Sequence, residues 1–178
     1  ITDCSCYPRY KDTMKRLYAS LLLLLPGVLP AQEAPRQPIS VVADRLELSS
    51  DSGLSTYEGN VEMRQGSMLL RADSLQLQSS GKTLRVVIAR GKPAHIERPD
   101  PQTGELLKAN AAYIEYRIGD SLLELKEGAS LSRGKDEFSG DHIVYELDKR
   151  VVRAFGQKNG VDDGRVRVII QPNREDSQ

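Results

Sequence analysis

From Gln37 onward, apolar residues alternate with polar ones: Ile39 and Val41, Leu46 and Leu48, Val61 and Met63, Leu75 and Leu77, Leu84 with Val86 and Ile88. The same period returns in Ile114, Tyr116 and Ile118, in Leu123 and Leu125, in Ile143, Tyr145 and Leu147, and in Val166, Val168 and Ile170. A repeat of two puts successive side chains on opposite faces, which is the signature of a strand with one buried face. No window in this region sustains a helical period beyond two turns. Glycines punctuate the runs at short intervals, as turns and bulges between many short strands require. The pattern predicts an all-β, antiparallel fold.

The strands form a repeat. Ala43-Asp44-Arg45-Leu46-Glu47-Leu48 is answered by Tyr57-Glu58-Gly59-Asn60-Val61-Glu62-Met63, and Ala72-Asp73-Ser74-Leu75-Gln76-Leu77 by Ala89-Arg90-Gly91-Lys92-Pro93-Ala94. Two looser copies follow: Ala111-Ala112-Tyr113-Ile114 with Glu127-Gly128-Ala129, and Gly140-Asp141-His142-Ile143 with Ala154-Phe155-Gly156. Units that each contact mainly their neighbours stack in one dimension, so the repeat predicts an elongated pile of antiparallel strands. Asp44, Asp73 and Asp141 stand just before apolar runs. There a short carboxylate can bond backbone amides where a turn enters a strand, so they are expected to be structural corners. In the third copy Ala111-Ala112 replaces the small-Asp pair. That leaves its register open by one residue, and a slip would turn Ile114 and Tyr116 outward together.

Ahead of this region lies different material. Met14 is followed by Lys15 and Arg16, an apolar run from Leu17 toward Val28, and the small residue Ala31, the layout of a secretory signal peptide. The run is shorter than the roughly twenty residues of a spanning helix. Both cysteines, Cys4 and Cys6, precede Met14. The processed chain is thus expected to have no disulfide and no thiolate metal site. Overall charge is balanced, Lys+Arg 25 against Asp+Glu 25, so no bulk field draws nucleic acid, and none is expected as a partner.

Candidate chemistry is sparse. Gly81-Lys82-Thr83 resembles the end of a phosphate loop, but Gln76 stands where the leading glycine belongs. His95 and His142 have no zinc-type partner spacing and are expected to be solvated. Asp162-Asp163-Gly164 reads as a hairpin turn. With no base, nucleophile or metal constellation, neither an enzyme nor a cofactor is expected. Scattered cations (Arg64, Lys92, Arg98, Lys108, Lys135, Lys149, Arg150) are expected to form a solvated face. With no Trp and only Phe138 and Phe155, the inward face is mostly aliphatic, which suits flexible hydrocarbon as well as it suits an ordinary core.

The opening Gln37-Pro38-Ile39-Ser40-Val41, the Glu58-Gly59-Asn60-Val61 turn, Gln65-Gly66, Arg71-Ala72-Asp73 and Gly91-Lys92-Pro93-Ala94 together resemble the OstA-like family of lipopolysaccharide-export proteins. The resemblance covers about Gln37 to Pro172. It implies a twisted, half-open β-jelly roll whose apolar groove shields the acyl chains of lipopolysaccharide in the periplasm. Implied partners are lipopolysaccharide through its lipid A acyl chains, an inner-membrane export component of the LptC type, an outer-membrane translocon of the LptD type, and further copies of itself stacked head to tail. On this reading residues 1–13 are an upstream extension foreign to the mature protein. Residues 14–31 are the signal peptide, 32–36 a short linker, 37–172 the OstA-like domain and 173–178 a polar tail. A competing reading is a non-enzymatic OstA-like assembly module with a dry core.

The resemblance places lipid contacts on Ile39, Val41, Ile96, Tyr116 and Ile118. Alternation alone adds Leu46, Leu48, Val61, Met63, Leu75, Leu77, Ile114, Ile143 and Tyr145. An open stack also leaves unpaired backbone groups at its ends. The expected self-association edges are Ile39, Ser40, Val41 and Val42 at one end and Val166, Arg167, Val168, Ile169 and Ile170 at the other.

Overall fold

The computed structural model describes residues 37–100, 103–156 and 164–171. The expected extension, signal peptide, linker and polar tail, and Asp162 and Asp163 of the hairpin turn, lie outside the described residues.

Every element among the described residues is a strand. β1 (Ile39–Val42) and β2 (Arg45–Ser49) are followed by β3 (Leu54–Gln65), β4 (Met68–Ser80), β5 (Thr83–Pro99) and β6 (Leu106–Arg117). Then come β7 (Leu122–Arg133), β8 (Asp136–Glu146), β9 (Val151–Phe155) and β10 (Arg167–Ile169). Strands β3 to β8 pair in sequence order, all antiparallel. At one end β1 and β2 share the free side of β3, and at the other β10 and β9 share the free side of β8. Among the described residues neither end of the sheet has a further partner, and the roll is not closed.

Each long strand is interrupted at the same level across the sheet. The register shifts between Glu58 and Val61, Arg71 and Ser74, Arg90 and Ala94, Asn110 and Tyr113, and Lys126 and Ala129. These breaks are the repeat seen in the sequence. The small-Asp pairs sit in the breaks of β4 and β8 and between β1 and β2, Ala111-Ala112 in that of β6, and Gly59, Gly91 and Gly128 in those of β3, β5 and β7. Gly59 and Asn60 both hold positive φ, +78° and +47°, a left-handed step that glycine and asparagine adopt most readily.

The line of breaks divides the sheet into two layers. The first holds β1, the second half of β3, the first of β4, the second of β5, the first of β6, the second of β7, the first of β8, and β10. The second layer holds β2, β9 and the complementary halves. Where a strand bends, an extra residue resets the alternation, so apolar side chains face inward in both layers: Leu70 and Ala72 before the bend of β4, Leu75 and Leu77 after it. A straight strand with an unbroken period would turn one layer inside out. One apolar cluster fills the space between the layers, with Met63, Leu70, Ile96, Leu107 and Leu131 from the first and Leu75, Val87, Ile114, Leu125, Ile143 and Tyr145 from the second.

One sequence expectation is corrected here. Val86 and Ile88 are not the inward residues of β5; Val87 and Ala89 are, at 2% and 0% exposure. The cause is a second bulge. Leu84 pairs with Ser79 but Val86 with Gln78, so Arg85 is the extra residue and the following run is shifted by one.

Candidate functional site

The residues expected to form the site lie on the inner faces. Val61, Met63, Leu75, Leu77, Ile96, Ile114, Ile143 and Tyr145 are buried in the shared cluster, and Val41, Tyr116 and Ile118 pack half-buried against it. Ile114 and Tyr116 therefore both face inward, which closes the register question of the third repeat. No buried residue among those described is polar or charged, apart from the tyrosine phenol, and no buried side-chain nitrogen or oxygen lacks a partner. An interior of this kind has dispersion and hydrophobic contacts to offer but no fixed polar anchor.

Ile39, Leu46 and Leu48 differ from the rest. They lie on the inner face, because Ile39 pairs with Gln65 two residues beyond Met63 and Leu46 pairs with Tyr57, which packs on the core. Yet Leu46 is 56% and Leu48 64% exposed. At the opposite end Val168, paired with Phe138, is exposed on the inner face in the same way. The apolar interior thus surfaces at both unpaired edges.

The residues expected at the edges lie on or beside the end strands of the sheet. Ile39, Ser40, Val41 and Val42 form β1. Arg167, Val168 and Ile169 form β10, with Val166 and Ile170 flanking it. Each is half of an edge. The other halves, β2 and β9, were not anticipated, because the break at Asp44 and the chain beyond Gly156 hide that two short segments serve one neighbour.

Leu123 and Leu125 are buried as their alternation predicts, but sequence reasoning missed several other inward residues: Met68, Leu70, Ala94, Leu107, Ala109, Ala111, Ala129 and Leu131 are all buried. The alternation Leu107-Ala109-Ala111 carried the signal, muted by its small side chains. Arg98 was expected in a solvated face. It pairs with inward Leu107, and its guanidinium donates to the Tyr116 hydroxyl at 3.1 Å from the other layer. The two residues border a cavity of about 70 Å³ with Asp100, Leu107, Ser121, Tyr145, Leu147 and Asp148.

The outer face of the second layer is polar and cross-linked. Glu124 accepts from Arg117 at 3.1 Å, Lys126 at 3.0 Å and His142 at 2.9 Å. Burial raises its pKa, but the bonds from Lys126 and His142 outweigh this and hold the carboxyl below its ordinary value. The Tyr113 hydroxyl donates to Glu115 at 2.7 Å; burial first, then that carboxylate, push the phenol up to about 12. The histidines are not freely solvated. His142 stacks on Phe155 and bonds Glu124, and His95 bonds Asn110 at 2.7 Å, so both are strand-to-strand ties. Asp44 stands at a corner as expected, although the bond its carboxylate accepts comes from the Asn60 side-chain amide, at 2.9 Å, where a backbone amide was expected.

Comparison with known proteins agrees with this architecture. Residues 40–151 match the family described as LptA/(LptD N-terminal domain) LPS transport protein. The lipopolysaccharide export system protein LptH of Pseudomonas aeruginosa is 28% identical over 172 residues, covering 94% of this chain and 98% of the relative. The export system protein LptA of Escherichia coli K12 is 26% identical over 165 residues, covering 87% and 86%. The crystal structure of LptH, the LptA-homologous periplasmic component of the transport device in P. aeruginosa, superposes with a TM-score of 0.66 at 33% identity, covering 76% of this chain and 96% of that one.

Proposed function

The chain belongs to the LptA/(LptD N-terminal domain) family of LPS transport proteins, and on that premise we propose that it carries lipopolysaccharide through the periplasm with the acyl chains held between its two layers. The observation that supports this best is the aliphatic interior, which contains no buried charge and surfaces at both edges through Leu46, Leu48 and Val168. Burying a methylene is worth about 0.8 kcal/mol, so an acyl chain of about a dozen carbons stands to lose on the order of 10 kcal/mol in open water. Sequestering the chain removes most of that barrier. The lack of polar anchors then lets the lipid slide, since one aliphatic contact replaces another at nearly equal free energy.

In the described state the central inner residues are fully packed, so cargo enters by spreading the layers. The β1–β2 edge, where Leu46 and Leu48 are already exposed, is the proposed point of loading. Stacking the β9–β10 edge of one copy on the β1–β2 edge of the next would join their interiors, and the same edges would meet an LptC-type component on the inner membrane and an LptD-type translocon on the outer. The segment from Met14 to Ala31 is the export signal that delivers the chain to the periplasm. No catalytic step is part of this role.

Site-specific photocrosslinking in cells tests the reading. A photoreactive residue at Leu46, Leu48 or Tyr116 is expected to give lipopolysaccharide adducts, and one at outward-facing Glu47 or Glu115 none. Absence of adducts at all inward positions, with the protein exported and folded, overturns it.

A further inference from the structure

Opposite the line of bends, the strand ends of the two layers form two rims with a seam between them. Strand-end turns line both rims: Gln65–Met68, the described residues 99–100 and 103–106, and Arg133–Asp136 in the first layer, and Ser49–Leu54, Ser80–Thr83, Arg117–Leu122 and Glu146–Val151 in the second. Toward the β8 end the rims are tied. Arg98 of the first layer donates to Tyr116 of the second at 3.1 Å. Arg150, in the β8–β9 turn, lies 4.0 Å from Asp100 and 3.6 Å from Glu105, both in the β5–β6 turn of the first layer. Toward the β1–β2 end the turns bond only within their own layer among the described residues, Gln78 to Ser52 and Gln65 to Gln37.

We infer that Arg98–Tyr116 and Arg150–Asp100–Glu105 form a clasp that keeps the seam shut over its second half, so that cargo travels along the roll and does not leave sideways. This rests on the transport reading above. Three observations meet at the clasp. The cavity beneath it, about 70 Å³, is far smaller than the roughly 300 Å³ at which ligand pockets begin, so no acyl chain fits while it is closed. Arg150 holds φ +56°, a left-handed conformation rare for an arginine, and the turn is closed by its amide bonding Leu147 at 3.2 Å. The polar pairs lie at the rim, where water can receive their charges when they part. A clasp of one hydrogen bond and a partly exposed ion-pair cluster is weak enough to open as lipid passes and to close behind it.

The test uses the full chain carrying Cys4→Ser and Cys6→Ser, with spin labels at Thr103→Cys and Lys149→Cys, one on each rim. Arg150→Glu is expected to lengthen and broaden the distance distribution. Adding Asp100→Arg and Glu105→Arg, which restores attraction with reversed signs, is expected to narrow it again. The same proteins are loaded with fluorescent lipopolysaccharide and released into acceptor vesicles of phosphatidylethanolamine and phosphatidylglycerol. Release is expected to quicken severalfold in Arg150→Glu and to return toward the original rate in the charge-swapped form. Equal distances in all three forms overturn the clasp, as does equal release from forms that all take up lipid. Failure of every form to take up lipid overturns the transport reading instead, and the label distances still report whether the rims are tied.

Discussion

The carboxylate of Asp44 fills the space in which Gly59 would carry a β-carbon: the Asp44 amide donates to the Gly59 carbonyl at 3.0 Å, and a Cβ built on Gly59 overlaps the Asp44 side chain. The two residues define the first corner of the roll from opposite strands. Gly59→Ala is expected to cost about 1–3 kcal/mol through positive φ and this overlap. The cost should shrink in Asp44→Ala/Gly59→Ala, because the shorter side chain removes the overlap with the carboxylate and leaves only the contact with the residue 44 Cβ. Denaturant midpoints of the two single variants and the double variant measure it.

Depth in the interior separates stability from cargo handling. Leu125→Ala, at 0% exposure, is expected to destabilise by about 2–5 kcal/mol. Leu48→Ala, at 64%, is expected to change stability by less than about 0.5 kcal/mol while weakening lipopolysaccharide capture at the β1–β2 edge. Thermal melts beside a lipid-binding titration distinguish the two outcomes.

Glu124 should shape the acid limb. Its folded pKa lies below the ordinary 4.5 because the bonds from Lys126 and His142 outweigh burial. Its contribution is therefore complete above that value and is lost as pH falls through the folded pKa. Glu124→Gln is expected to lower stability at neutral pH, with the gap from the original protein closing below about pH 4.5. Urea midpoints across that range test the sign.

Tyr113 acts at the other extreme. A phenol raised from 10.0 to about 12 contributes stability that is whole below pH 10 and lost as pH climbs through the folded value. Tyr113→Phe is expected to flatten the alkaline fall between pH 10 and 12. In ultraviolet titration of the folded chain, the variant should lack a phenol that ionises near pH 12.

The β1 edge should govern association. Ser40 and Val42 alternate with inward Val41 on a strand that has only β3 as partner, so Ser40→Lys/Val42→Lys adds charge to the edge and leaves the core untouched. If stacking uses this edge, sedimentation should show fewer multimers in the variant at equal concentration. An unchanged distribution would place self-association elsewhere.

The alternation of Val61 with Met63, or of Ile143 with Tyr145, is a local property, and it determined strand identity and the buried face wherever no bulge intervened. The recurring Ala-Asp and Gly pairs likewise announced the corners, because a backbone that must bend admits few residue types. Only the tertiary structure decided that the corners align into one line of bends, since that depends on pairing each strand with its neighbours. It also decided that Arg85 shifts the face of β5, a bulge no period reveals. The reach of Arg98 to Tyr116 and of Arg150 to Asp100 could not be read from the chain either. Those groups are neighbours only across the gap between layers, and a surface cation and a rim cation look alike until the sheet has folded over.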